Sequence, residues 1–372
     1  MNKIPKGWEK YYLSDCFNAI SIKNKIKTKD YLPQGKFPII DQGQDFISGY
    51  SNDENLLIKV KKPIIIFGDH TRCFKFINFD FIAGADGIKI LEPKDNFNEK
   101  LFYYFCQILD FPNKGYSRHF QYLKKAIINF PKNLSEQKAI VDKLDDSFAK
   151  IENAIINLIN AKENLKLYKQ SVLKSAFNGD LLPNTSPTHW EVKKLGEICE
   201  KISAGGDKPA EFSPIKTNDF KIPIYSNGIK GNGLYGYTKY ATINKQAVTV
   251  SARGTIGFVC VRNEPFCPIV RLISAIPKDN ILDLKFLAYA LKFKIPSGEG
   301  SSIPQLTVPN FKQLEIPLPP LSEQNLIVAE IDRRFAIVDK TLNLIDKSIQ
   351  NAKNLKQSIL KKAFSGELRS EI

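Results

Sequence analysis

Three histidines, two tryptophans and one methionine are all this 372-residue chain has of those types, and its six cysteines form no CxxC pair. Zinc sites draw on clustered Cys and His ligands. His70, His119 and His189 are scattered and unaccompanied, so a zinc site is not expected. No apolar run approaches the roughly 20 residues of a membrane span, and residues 1–8 carry no apolar core of a secretory signal. A reduced, cytosolic, soluble protein is the expectation. Catalytic signatures are missing as well. There is no GxxxxGK[ST] phosphate loop, no HExxH and no Ser/Cys-His set in recognisable context. The Asn/Asp-Pro-Pro-aromatic string of methyltransferases has only the imitation Leu318-Pro-Pro-Leu321, without the amide and the ring. Asp80 or Asp86 with Glu92-Pro93-Lys94 imitates half of a metal-dependent nuclease site, but a proline would interrupt the strand that must carry both ligands. Asp69 beside His70 reads as a capped loop rather than an acid–base pair. A chain without catalysis of its own is expected.

What the chain does have is positive charge and a repeat. Lys and Arg outnumber Asp and Glu by 54 to 39, a net +15, which points to a polyanionic partner. Residues 135–181 are written again at 322–368, without a gap, at an offset of 187 (322 − 135). Ser135-Glu-Gln137 returns as Ser322-Glu-Gln324, and the run from Gln170 to Leu181 returns from Gln357 to Leu368. The two tryptophans answer each other too, Gly7-Trp8-Glu9 matching His189-Trp190-Glu191. Such a repeat is architecture: two copies of one unit, each a Trp-headed globular stretch followed by a helical one. The two helical stretches carry seven Lys against seven acids and eight Lys/Arg against six, so +13 of the charge lies on the globular stretches and their flanks.

Apolar residues at 144, 148, 151, 155, 158, 165 and 172 alternate steps of three and four, the seam of a coiled coil, with Lys162 and Lys169 interrupting it. The second copy runs through Ile331, Phe335, Val338, Leu342, Ile345, Ile349, Ala352 and Ile359. Each copy ends at a glycine, Gly179 or Gly366, that suits a helix stop. Helices of about 42 residues, roughly 63 Å long, need a partner for such a stripe. The first helix carries the chain from one globular unit to the other, so the second is expected to return antiparallel to it. The fold class expected is α+β: two mixed α/β units joined by two long antiparallel helices as a coiled coil, a pseudo-twofold cyclic repeat. Strands are expected at 63–67, 87–91, 247–251 and 257–261, and short helices at 100–109 and 283–293.

Polar, glycine-bearing loops lie between the strands, and loops on a rigid scaffold are where recognition concentrates. They bring forward Gln42, Gln44, His70, Thr71 and Arg72, then Arg118 and His119, in the first stretch, and Asn227, Lys230, Ser251, Arg253 and Gln305 in the second. Amides and guanidinium groups can read base edges bidentately, and basic groups can hold phosphates. Arg72 and Arg253 stand out because each follows an apolar strand within a compact turn.

Several segments resemble the specificity subunits of type I restriction-modification enzymes. They are Pro304-Gln-Leu-Thr-Val-Pro309, Ile316-Pro-Leu-Pro-Pro-Leu-Ser-Glu-Gln324 and Leu360-Lys-Lys-Ala-Phe-Ser-Gly-Glu-Leu368, with a weaker first copy, Asn129-Phe-Pro-Lys-Asn-Leu-Ser-Glu-Gln137. Phe37-Pro-Ile-Ile-Asp-Gln-Gly43 and Gly68-Asp-His-Thr-Arg-Cys-Phe-Lys75 are similar to one type of target recognition domain, and Ser251-Ala-Arg-Gly-Thr-Ile-Gly257 to another. The resemblance implies two recognition domains, 1–134 and 182–321, and two spacer helices, 135–181 and 322–372. It implies a non-catalytic subunit that reads a split, asymmetric double-stranded DNA target and docks two methyltransferase subunits and a motor-nuclease subunit, with no membrane involved. No cofactor is expected in this chain, AdoMet, ATP and Mg belonging to the partners. A specificity component served by a fused nuclease-methyltransferase, or a coiled-coil scaffold that binds an acidic protein, would share many of these features.

Overall fold

The computed structural model describes residues 4–85, 87–110, 117–183, 189–295, 298–299 and 306–368. Two single helices dominate it, Leu134–Asn178 and Leu321–Ser365, of 45 residues each, or about 67 Å at 1.5 Å per residue. Each stops where a glycine takes left-handed backbone, Gly179 at φ 85° and Gly366 at φ 82°, a conformation that costs other residues a steric clash. Behind the first stop, the Asp180 amide donates to the Ser175 carbonyl at 2.8 Å and closes the helix end. The chain divides into two compact units, Met1–Leu158 with Lys347–Ile372, and Ile159–Asp346, so each unit owns half of each long helix.

The first unit has a four-stranded antiparallel sheet in the order Phe17–Ile20, Ile88–Pro93, Ile64–Gly68, Phe74–Ile77. A second sheet runs Gly49–Ser51, Phe37–Ile40, Phe81–Ala83, Leu57–Ile58, its middle pair parallel. The strand Ile64–Gly68 is buried throughout, which is why its four apolar residues show no alternation. Pro93 sits at the end of its strand, opposite Phe17, where a missing amide is tolerated. A two-stranded ladder of Trp8–Tyr12 and Ile127–Pro131 leads into the first long helix. Leu144, Phe148 and Ile151 of that helix pack with Leu360, Ala363 and Phe364 of the other in one core.

In the second unit, the larger sheet runs Cys199–Ala204, Ile273–Pro277, Ala247–Val250, Val259–Arg262, again antiparallel. Beside it lie Leu234–Thr238, Ile222–Tyr225 and Cys267–Pro268, the last two parallel. The antiparallel sheets share one strand order although the sequences differ, and the mixed sheets share their first three strands, the second unit having no counterpart of Leu57–Ile58 among the described residues. A ladder of Glu191–Lys194 and Glu315–Leu318 leads into the second long helix. Here Lys162 donates to Asp346 at 2.7 Å and Lys169 to Asp339 at 2.5 Å. The first number of each pair rises by seven as the second falls by seven, so the helices run antiparallel. The two lysines that interrupt the apolar seam are thereby paired across it. In the first unit the counterpart of Lys169–Asp339 is Lys356–Glu152, at 2.7 Å, each residue 187 positions from its equivalent.

The repeated Ser-Glu-Gln has the same use in both units. Glu136 accepts from the Trp8 indole, and Glu323 from the Trp190 indole, each at 2.9 Å. Gln137, fully buried, accepts from the Asn98 amide and donates to the Asn96 and Pro131 carbonyls. Gln324, equally buried, accepts from the Asp283 amide and donates to the Ile281 and Pro319 carbonyls. Asn98 and Asp283 also cap the short helices Glu99–Cys106 and Leu284–Lys294, since a carboxylate or amide oxygen can satisfy first-turn N–H groups. One side chain at the start of each long helix therefore ties together a ladder, a loop and a short helix.

Candidate nucleic-acid interface

In the first unit three loops meet: 41–48, which follows the strand Phe37–Ile40, the hairpin tip 68–73, and the segment after Phe81–Ala83, of which Gly84, Ala85 and Gly87 are described. Gln42 joins them. Its side-chain oxygen accepts from the His70 amide at 3.3 Å, and its carbonyl accepts from the Thr71 hydroxyl at 2.5 Å. Gly87, at φ 98°, packs so closely on the Gln42 amide that a Cβ there would lie 2.5 Å from its oxygen. Beneath the first loop lies Lys75, 3% exposed, whose ammonium donates to the carbonyls of Asp41 at 2.9 Å and Asp45 at 2.5 Å. Burial pushes the Lys75 pKa down, against the pull of the Asp41 carboxylate, which raises it. Asp41 in turn accepts from the Gly43 amide and the Ser48 hydroxyl.

Equivalent loops meet in the second unit: 226–233 after Ile222–Tyr225, 251–257 after Ala247–Val250, and 269–272 after Cys267–Pro268. Asn227 stands where Gln42 does, two residues beyond its strand. It donates to the Val270 carbonyl at 2.7 Å and accepts from the Ala252 amide at 2.9 Å. The buried cation is Arg262, 6% exposed, on the strand that matches the one bearing Lys75. It donates to the Asn232 carbonyl at 2.7 Å and to the Thr249 hydroxyl at 3.0 Å, with its guanidinium centre 3.5 Å from the centroid of the Tyr225 ring.

The candidates from the sequence fall into groups. Gln44, Arg118, Lys230 and Arg253 are exposed, and Thr71 and Arg72 are partly so. Arg72 holds left-handed backbone at φ 61°, with its amide donating to the Gly68 carbonyl at 2.8 Å, at the tip of the hairpin. His119 does not face outward. It is fully buried, its Nδ1 is 2.9 Å from the Asp69 carbonyl oxygen, and the reading of it as a DNA contact is corrected to a loop anchor. Ser251 is corrected likewise: it is 1% exposed, with its hydroxyl 3.4 Å from the Gly228 amide. The amides of Gln42 and Asn227 are engaged in clipping loops to one another, a use that composition does not reveal. His70 is half-buried beside Gln42. Gln305 lies outside the described residues.

Other residues emerge only in three dimensions. Asp69, buried, accepts from the Phe120 amide at 2.7 Å and so joins the hairpin tip to the short helix Phe120–Lys125. A cleft of about 470 Å³ opens there, lined by Lys89, Arg118, Phe120, Gln121, Lys124 and Lys125 along with Asp69. The ammonium groups of Lys89 and Lys124 lie 5.7 and 4.9 Å from the centroid of the Phe120 ring, within the range of cation–π attraction. The run Phe120-Gln-Tyr-Leu-Lys-Lys125 was the available signal, but Lys89 comes from the strand Ile88–Pro93, far away in the sequence. Among the described residues, no helix is long and apolar enough to cross a membrane.

The family of type I restriction modification DNA specificity domains matches residues 5–161 and again 187–353. Two Mycoplasma pneumoniae chains named as type I specificity subunits are similar: one is 40% identical over 163 residues, 43% of this chain and 48% of that one. The other is 36% identical over 222 residues, 58% and 59% of the respective chains. The chain thus spans about half to three fifths of the length of these relatives. A chain from a solved type I restriction-modification assembly shares the fold, with a TM-score of 0.73 at 19% identity over 98% of this chain and all of the other. With its two matched segments, one headed by each tryptophan, the chain belongs to the type I restriction modification DNA specificity family.

Proposed function

We propose that this chain is the sequence-reading subunit of a type I restriction-modification complex, binding a split, asymmetric target in duplex DNA. The observation that carries the reading is the pair of three-loop ends. They share strand order and an internal amide clip, yet differ in the residues they present: Gln44, Arg72 and Arg118 in one, Lys230, Arg253 and Arg271 in the other. The same scaffold with different groups at its reading edge is what two unlike half-sites require. The concentration of charge outside the long helices supports an electrostatic contribution from phosphates, and the cleft around Phe120 suits a phosphate better than a base edge. In this proposal the long helices space the two readers, and the chain performs no chemistry itself. Methyltransferase and motor-nuclease subunits in the cytoplasm supply it, together with AdoMet, ATP and Mg.

The test is to express the chain with the modification subunit from its own gene neighbourhood, in a host without other adenine or cytosine methylation, and map modified bases. A single split motif with unlike halves, absent when this gene is deleted, is expected. Methylation that is unchanged by the deletion contradicts the proposal.

A further inference from the structure

In the second unit, two adjacent residues with full side chains hold left-handed backbone, Val270 at φ 53° and Arg271 at φ 60°. For a β-branched residue this is a true outlier, because the Cβ is driven toward its own carbonyl and the branched methyls have little room to turn away. Glycine would take the conformation without strain, and the neighbouring loops use it freely, with Gly228, Gly231 and Gly233 all at positive φ. The side chains at 270 and 271 are therefore retained against the backbone's preference, not because of it.

The turn is held from several sides. The Val270 amide donates to the Gly206 carbonyl at 2.8 Å, the Arg271 amide to the Gly205 carbonyl at 2.9 Å, and the Ile269 amide to the Tyr225 carbonyl at 2.9 Å. Asn227 holds the Val270 carbonyl from the next loop. Gly205 lies so close beneath that a Cβ would be 2.6 Å from the Pro268 carbonyl carbon and oxygen. The surroundings over-determine the backbone, as they must for strain to persist. The side chains, by contrast, point away from this clamp. Val270 is 48% exposed, and the guanidinium of the exposed Arg271 makes no hydrogen bond or ion pair among the described residues. An apolar branched group and an uncommitted guanidinium thus depart side by side from a fixed backbone, at the end of the unit that carries Arg253 and Lys230.

We infer that Val270 and Arg271 are a base-reading pair of the second unit. The Arg271 guanidinium takes the paired acceptors O6 and N7 of a guanine in the major groove, and the Val270 methyls meet an adjacent base edge. The inference rests on the function proposed above. Rigid backbone suits such a role because a bidentate contact discriminates only when its angle is fixed.

Strain makes the test selective. Val270→Gly removes the reading group and relieves the backbone, and Arg271→Ala removes the guanidinium. Each full-length variant is expressed with the modification subunit, its methylated bases are mapped, and its thermal melting is recorded. Val270→Gly is expected to melt at the same temperature or higher, and each variant to lose roughly ten- to hundredfold in preference at one base pair of the second half-site. The first half-site should be read unchanged. Both variants keeping the parent motif and preference would overturn the inference. So would Arg271→Ala weakening binding to all sequences alike with a shallower salt dependence, since that marks a phosphate contact. A parent chain that directs no split-site methylation contradicts the proposed function itself, and is seen before either variant is compared.

Discussion

Lys75 and Arg262 are cations placed where cations are costly, and what they hold explains why. Each reaches from the last strand of its unit's antiparallel sheet to the loop that follows an inner strand of the mixed sheet, where it holds backbone carbonyls. A carbonyl left unpaired in such a place costs about 1–3 kcal/mol, so the loop stays put only while its cation is present. Lys75→Met is expected to lower stability by about 1–3 kcal/mol in urea denaturation and, under the proposed function, to weaken reading of the first half-site alone. Arg262→Met should do the same at the second. Loss of both half-sites from either change would contradict a local role. These residues show the limit of the sequence at this scale. That glutamine, asparagine, arginine and histidine sit in loops is legible, but whether each faces outward or toward a neighbouring loop is settled by contacts between segments far apart in the chain. His119 and Ser251 point inward for that reason, and Lys75, within the quoted run Gly68 to Lys75, gave no sign of burial.

At the scale of elements, periodicity was a dependable guide because burial imposes it. The heptads from Leu144 and Ile331 run within single helices, and the stops at Gly179 and Gly366 follow from backbone sterics. The strands Ile64–Gly68 and Ala247–Val250 were visible as short apolar runs. The mixed sheets were not, since Gly49–Ser51, Leu57–Ile58 and Cys267–Pro268 are two or three residues long, and the last two pair only with strands far along the chain. Ser-Glu-Gln was legible as a repeat, while its chemistry needed the fold. Gln324→Leu strands the Asp283 amide and the Ile281 and Pro319 carbonyls in a buried place. At about 1–3 kcal/mol for each unsatisfied group, partly relieved by local adjustment, a loss of roughly 2–5 kcal/mol is expected in equilibrium denaturation. Gln324→Glu should cost less than Gln324→Leu, because it keeps the acceptor for Asp283. A leucine variant as stable as the parent would show that the tie does not matter.

For the whole molecule, the long helices repeat closely while the loops at the ends of the two sheets differ. Within the proposed function, the helices set the gap between half-sites and the loops set the bases. Residues 151–157 and 351–357 lie opposite one another in the antiparallel register and include the pair Glu152–Lys356, so removing both heptads keeps the seam in phase. Seven residues are about 10.5 Å of helix, or about three base pairs at 3.4 Å each. The most direct measurement is a map of methylated bases for the parent and for this double deletion, each expressed with its modification subunit. The same two unlike half-sites separated by a gap up to about three base pairs shorter is the predicted result. An unchanged gap, or different bases in either half, would contradict the account.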